Sequence, residues 1–352
     1  MDRTQLIETA QAIVTDGKGI LAADESTSTI GKRFALIDTE SSENKRAEYR
    51  GLLFTTEGME EFISGVIMFD ETLRQSTLNG GKLFSKLLSD KGVLPGIKVD
   101  TGAKPLAGHE GEKVTEGLDG LRERLEEYYE LGARFAKWRA VITIGDGIPT
   151  RACLESNAHA LARYAALCQE TGIVPIVEPE VLMDGKHALD RCFEETEETL
   201  TIVFHELFKQ GIMLEGMILK PNMVISALDC SEQASVEEVA EATVECFLRV
   251  VPSAVPGICF LSGGQSDLVA TQHLNAMNAM KDALPWKLSF SYGRALQTAA
   301  LNAWGGKSEN IPEAQKEFYH RAQCNGAAAF GQYSNEMENQ VQSKDTNYLQ
   351  QE

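Results

Sequence analysis

Eight short apolar runs, separated mostly by stretches of helical periodicity, constrain this chain more than any other feature. They lie at 19–24, 65–69, 96–100, 133–139, 173–180, 217–219, 256–264 and 286–294. They read as strands buried on both faces. The intervening stretches carry apolar residues three and four apart, as Leu118, Leu121, Leu125, Tyr128 and Leu131 do within 115–131. Further helices are expected at 3–15, 152–171, 188–210, 235–250, 266–282, 294–304 and 312–329. Helical crossovers between buried strands imply parallel pairing. Eight such units in one chain favour a closed barrel over an open, doubly wound sheet. No G-x-G-x-x-G follows the first run, and Gly145-Asp-Gly147 runs into Pro149 without a third glycine in register. The expected fold is therefore α/β, a single (β/α)8 barrel over residues 1–331 with an extra N-terminal helix. A polar, mobile tail is expected at 332–352, where apolar residues are few.

Charge narrows the classes of partner. The 352 residues hold 33 Lys and Arg against 52 Asp and Glu, a formal charge of −19. That argues against nucleic acid and anionic membrane surfaces, but leaves room for a small anion at a local positive cluster. Seven scattered cysteines form no C-x-x-C pair, which suits free thiols in a reducing cytosol. The first residues lack a signal-peptide apolar core, and no apolar run is long enough to span a bilayer. A cytoplasmic protein is expected.

In a barrel of this kind the chemistry sits at the carboxyl ends of the strands. Those ends carry Asp24, Lys98 with Asp100, Lys137 with Arg139, Glu178 with Glu180, Lys220, Ser262-Gly263-Gly264, and Ser291 through Gly293 and Arg294. One polar group after another lands at the same end of an apolar run. Met217-Ile218-Leu219 delivers Lys220 in front of Pro221, which favours extended geometry at the lysine. Burial disfavours a charged lysine, and a neutral amine can attack a carbonyl. Taken alone, Lys220 reads better as a surface lysine past a strand, and Lys137 is as easily a snorkelling one between Phe135 and Trp138. Glu178 and Glu180 share a face of a strand, which serves an ion-paired network with the lysines or acid–base catalysis equally well. Asp24 could cap the polar turn expected after it. The Ser-Gly-Gly loop offers backbone N–H groups to an anion, and Arg294 beside it would complete a phosphate clamp. The six histidines show no H-x-H or H-E-x-x-H pair and none ends a strand, so no metal site is expected.

Leu-Ala-Ala-Asp24-Glu-Ser26-Thr, Gly-Ile-Lys98-Val-Asp, Phe-Ala-Lys137-Trp-Arg139, Ile-Val-Glu178-Pro-Glu180, Leu-Lys220-Pro-Asn-Met, Phe-Leu-Ser262-Gly-Gly-Gln-Ser and Phe-Ser291-Tyr-Gly-Arg294 together resemble class I fructose-bisphosphate aldolase, from about residue 3 to 333. The resemblance implies a TIM barrel, a lyase of glycolysis and gluconeogenesis, no cofactor beyond a covalent Schiff base on Lys220, sugar phosphates as partners, and a homotetramer. It implies acid–base work for Glu178, a supporting cation in Lys137, and Asp24 near the substrate's C4 hydroxyl. Glu180 would hold Lys137 and Lys220 in place. Ser262, Gly263, Gly264, Ser291, Gly293 and Arg294 would take one phosphate. Ser26, Thr29, Lys98 and Arg139 would contact the rest of the substrate. Two departures stand out. The chain reads Ser28-Thr29 where many members read Gly-Ser, and Tyr348 is followed by four residues where many members end in tyrosine. A scaffold on a dead barrel would need the lysine or its acid partner to be missing, and neither is. Bisphosphate and 1-monophosphate ketoses stay undistinguished at this point.

Overall fold

The computed structural model describes residues 2–77, 80–280 and 283–338. Among these residues ten strands form: β1 (Gly19–Ala23), β2 (Ile63–Met68), β3 (Leu94–Lys98), β4 (Gly102–Pro105), β5 (Lys113–Glu116), β6 (Phe135–Ile142), β7 (Val174–Val181), β8 (Ile218–Leu219), β9 (Gly257–Phe260) and β10 (Lys287–Tyr292). Eight of them close a parallel barrel in the order β1-β10-β9-β8-β7-β6-β3-β2. Closure is made by β1, which pairs with β2 on one side and with β10 on the other, Ile20 opposite Ser291. The α/β barrel read from the apolar runs is the fold observed.

The barrel interior changes character from bottom to top. Inward-facing Ile20, Ile67, Phe135, Val174, Ile176 and Ile218 form one apolar cluster. The helix Arg3–Ile13 closes that end, burying Leu6, Ala10 and Ile13 in the same cluster. Strand alternation repeats the inward direction every second residue. On β6 the inward set therefore runs Phe135, Lys137, Arg139, and on β7 it runs Ile176, Glu178, Glu180. Gly96 permits the packing: a Cβ there would lie 2.2 Å from the Phe135 ring. Outward residues such as Trp138 pack instead against helix residues such as Tyr164, ring centroids 5.6 Å apart.

Three details differ from the sequence reading. The polar turn after Asp24 is a helix, Thr27–Ala35, and Ser26 rather than Asp24 caps it, accepting from the Thr29 amide at 3.4 Å. The helix expected from 115 begins at Leu121. Residues 113–116 form β5, paired with β4 in an antiparallel hairpin. The segment expected to be tail from 332 is in part packed. Tyr333 is buried, Asn335–Glu338 is helical, and Glu338 accepts from Arg321. Tyr348 and the rest of 339–352 lie outside the described residues. No helix among the described residues is long and apolar enough to cross a membrane.

Candidate active site

A cleft of about 1070 Å³ opens at the carboxyl end of the barrel. Its lining brings together Asp24, Ser26, Thr29, Lys98, Lys137, Arg139, Glu178, Glu180, Lys220, Ser262, Gly263, Ser291, Gly293 and Arg294, every candidate except Gly264. Gly264 adjoins it: a Cβ there would lie 3.4 Å from the Arg294 guanidinium.

The floor of the cleft is a chain of opposite charges on four strand ends. Lys137 Nζ lies 2.8 Å from Asp24 Oδ2 and 3.1 Å from Glu178 Oε2. Glu178 Oε1 lies 3.3 Å from Lys220 Nζ. Lys137, Glu178 and Lys220 are each 3% exposed. Register explains the meeting, because β6 lies beside β7 and β7 beside β8, and Lys220 follows β8 directly. Burial alone would raise the Asp24 carboxyl. Lys137, Lys220 and Lys98 overcome it and hold that carboxyl far below the usual range. Glu178 is lowered too, with burial opposed by Lys137, Lys220 and Arg139. Conversely, burial would lower Lys137, but Asp24, Glu178 and Asp100 hold its ammonium well above the ordinary value. Lys137 is thus a fixed cation between two fixed anions.

Glu180 does not reach the lysines as expected. It forms an ion pair with the Arg139 guanidinium, one turn of alternation above Lys137 on the same strand. Lys98 is likewise engaged: its ammonium donates to the Asp100 carboxylate at 2.7 Å and to the Asp100 carbonyl at 2.9 Å. Ser26 and Thr29 sit on the first turn of the helix after β1, their hydroxyls 3.0 Å apart.

At the other end, the Ser291 hydroxyl is buried and has no hydrogen-bond partner among the described residues. Gly263 and Gly264 have φ of +57° and +105°, conformations open to glycine, and they turn the chain directly above β9. Arg294 opens the helix Arg294–Trp304 after β10. An orphaned hydroxyl, a glycine turn, a helix N-terminus and a guanidinium converge on one corner, a setting suited to an anion.

Sequence reading missed the shell beneath Asp24. The Glu25 side chain is 5% exposed and ion-paired with Arg33 and Arg50, and Gln297 donates to it at 3.0 Å. Burial would raise Glu25, but Arg50 and Arg33 hold it below its ordinary value. Arg50 is 2% exposed within the helix Glu43–Phe54. The only signal was an arginine on the apolar stripe of that helix.

Fold and site define a barrel enzyme whose buried lysine stands in a carboxylate network beside an anion corner. A match to the family "Fructose-bisphosphate aldolase class-I" spans residues 5–352. The chain is 60% identical over 334 residues to a "Probable fructose-bisphosphate aldolase class 1" of Xanthomonas campestris, covering 95% of this chain and 99% of that one. It is 53% identical over 329 residues to "Fructose-bisphosphate aldolase 4, cytosolic" of Arabidopsis thaliana, covering 94% and 84%. A solved fructose-bisphosphate aldolase of Plasmodium falciparum, in complex with TRAP and a small-molecule inhibitor, superposes with a TM-score of 0.93 at 48% identity, covering 94% and 96%. The chain belongs to the class I fructose-bisphosphate aldolase family.

Proposed function

We infer that this chain cleaves fructose 1,6-bisphosphate reversibly to dihydroxyacetone phosphate and glyceraldehyde 3-phosphate, through a Schiff base on Lys220. The observation that carries the assignment is the Lys220 amine buried at the barrel centre, 3.3 Å from the Glu178 carboxylate. Attack of that amine on the C2 ketone leaves a proton to be removed from nitrogen. An ionised Glu178 takes it and returns it to the C2 hydroxyl, which departs as water. Glu178, held below its ordinary value, starts ionised and free to take the first proton, and it gives that proton up readily in the second step. In the iminium, the electron pair of the C3–C4 bond moves toward nitrogen as the bond breaks. The C4 hydroxyl proton leaves to a base, and Asp24, ionised beside Lys137, is the group assigned. The enamine is then protonated at C3, and water releases dihydroxyacetone phosphate and frees Lys220.

Two anion-binding ends support a bisphosphate. Ser262, Gly263, Gly264, Ser291, Gly293 and Arg294 form one. Ser26, Thr29, Lys98 and Arg139 form the other, with the Lys98–Asp100 and Arg139–Glu180 pairs able to reopen toward substrate. No cofactor enters the scheme. A cytoplasmic homotetramer is the accompanying expectation, and so is the division into one catalytic barrel over 1–331 and a C-terminal tail over 332–352.

Borohydride trapping tests the assignment. Reduction in the presence of dihydroxyacetone phosphate should inactivate the enzyme and leave the adduct on Lys220. Reduction without the ketone should do little. Lys220→Met should abolish activity and adduct and keep the fold, since Met suits an apolar strand end. An adduct on Lys137 or Lys98 overturns the choice of nucleophile. Equal cleavage rates for fructose 1-phosphate and the bisphosphate would remove one phosphate end from the reading.

A further inference from the structure

Away from the cleft, the helix Ile311–Ala328 carries His320 and Cys324 one turn apart, so both point the same way. The chain returns after that helix and sets Glu338 against them. His320 Nε2 lies 3.7 Å from Cys324 Sγ and 3.7 Å from Glu338 Oε2. All three ligand atoms fall within 4.8 Å of one another, and among the described residues no other group of three or more such side chains does so. A tetrahedral zinc with Zn–S of about 2.3 Å and Zn–N or Zn–O of about 2.0 Å places its ligand atoms about 3.3–3.6 Å apart. The two spacings from His320, 3.7 Å each, need contract by only a few tenths of an ångström, and the Cys324–Glu338 spacing, which lies within 4.8 Å, closes by about 1 Å at most through the Glu338 side chain.

We propose that His320, Cys324 and Glu338 form a zinc-binding site that fastens the short helix Asn335–Glu338 to the helix Ile311–Ala328. The ligand set selects the metal: thiolate, imidazole and carboxylate together suit Zn²⁺ better than the hard cations Mg²⁺ or Ca²⁺. Cys324 and His320 are buried, while Glu338 is half-buried, so three protein ligands close the inner side and a water takes the outer corner.

Charge and proton balance both close. The Cys324 thiol gives its proton to solvent, bonds form from zinc to sulfur, nitrogen and oxygen, and zinc loses the corresponding waters. No electron is transferred. Thiolate and carboxylate together neutralise the divalent ion. Glu338 is not idle in the absence of metal: Oε2 accepts from Arg321 at 2.5 Å and Oε1 from the Tyr333 hydroxyl at 2.8 Å. Each carboxylate oxygen has two acceptor sites, so one can serve Arg321 and zinc in turn or together. Arg321 keeps a hydrogen bond to Thr271 Oγ1 at 2.9 Å and has Asp267 4.0 Å away. The metal lies outside the reaction, so its effect is on the attachment of the C-terminal segment and on stability.

The full-length protein, stripped with EDTA and dialysed, is titrated with Zn²⁺ by calorimetry and with Co²⁺ by absorbance. One equivalent should bind, and the Co²⁺ form should show thiolate charge-transfer absorption with tetrahedral d–d bands. Cys324→Ser, His320→Gln and Glu338→Gln should each weaken zinc binding by at least about tenfold, since losing a ligand exceeds the loss of a ligand's supporting partner. Cys230→Ser should change nothing. Zinc should raise the Tm of the parent and not of Cys324→Ser. If His320→Gln fails to fold, the other two ligand variants decide. Absence of the charge-transfer band, or zinc affinity unchanged in Cys324→Ser and Glu338→Gln, refutes the site.

Discussion

Lys137→Met isolates the electrostatic logic of the cleft. The Lys137 side chain is 4% exposed and its ammonium serves two carboxylates, Asp24 at 2.8 Å and Glu178 at 3.1 Å. Among the charges that hold those carboxyls below their ordinary range, Lys137 is the largest for both. Breaking a buried pair by deleting one member costs roughly 3–5 kcal/mol, because the survivor stays buried and uncompensated. The small values found for exposed pairs do not apply at this depth. Here two survivors remain, so the loss should reach that range near neutral pH, unless a carboxyl takes up a proton. That escape gives the experiment its sign. In the parent, both folded pKa values lie below the unfolded ones of about 3.9 for Asp and about 4.3 for Glu. The stabilisation is therefore present above about pH 4 and fades as pH falls through the folded values. In the variant, burial is opposed less, and at least one folded pKa rises above its unfolded value. The folded variant then gains on acidification, which the parent does not. Urea unfolding followed by circular dichroism at about pH 8 and about pH 5 should show a gap that narrows toward acid. A gap below about 1 kcal/mol, or one independent of pH, would show that Lys137 is not the ion neutralising Asp24 and Glu178.

Arg294→Ala should raise KM for the bisphosphate about tenfold to a hundredfold, the worth of a charge-assisted contact of roughly 1.5–3 kcal/mol; steady-state kinetics with unchanged KM and kcat/KM would take Arg294 out of the site. Gly263→Ala should destabilise by roughly 1–2 kcal/mol from its left-handed backbone, and it should displace Met183, whose methyl lies 2.1 Å from the new Cβ position. Thermal and urea unfolding measure the first effect, and an unchanged midpoint would contradict the strained geometry. Cleavage activity should survive EDTA, since the iminium withdraws the electrons a Lewis acid otherwise would; activity lost to EDTA and restored by zinc would overturn the mechanism. Glu180→Gln should leave the Lys220 adduct intact and lower KM for the bisphosphate, because Arg139 no longer has to leave an ion pair to meet substrate; loss of the adduct would restore the expected link between Glu180 and the lysines.

What the sequence made legible follows the barrel's own period. Eight buried runs are visible because strands covered on both faces are apolar along their length. The strand ends are visible because each apolar run stops at a charged or polar group. The hairpin β4–β5 escaped notice because in Gly-Ala-Lys-Pro and Lys-Val-Thr-Glu only Thr115 is buried, so no burial pattern marks them. Thr27–Ala35 escaped because its Ser and Thr residues read equally well as a turn, and only the Ser26 cap geometry decides. The partner of Glu180 was out of reach for another reason. Alternation puts Glu178 and Glu180 on one face, but only the β6–β7 register, with Arg139 opposite Glu178, tells which cation each one meets. Arg50 shows the same limit: a charge on an apolar stripe signals a buried partner without naming Glu25. His320 and Cys324 are four apart in the sequence, yet Glu338 joins them only through the return of the chain.

The closure of the barrel by β1 has a consequence for synthesis of the chain. Ile20 waits for Ser291, 271 positions later, before its second edge is paired. At elongation rates of about 5–20 residues per second, that wait is roughly 15–50 s. For that interval the newborn chain holds an apolar strand with an open edge, the kind of surface that pairs wrongly with another copy. Asp24, just past the first strand, and Arg294, beyond the last, line the same cleft once the ring is closed. A chain arrested before residue 294 therefore holds Lys220 without the Arg294 side of the cleft.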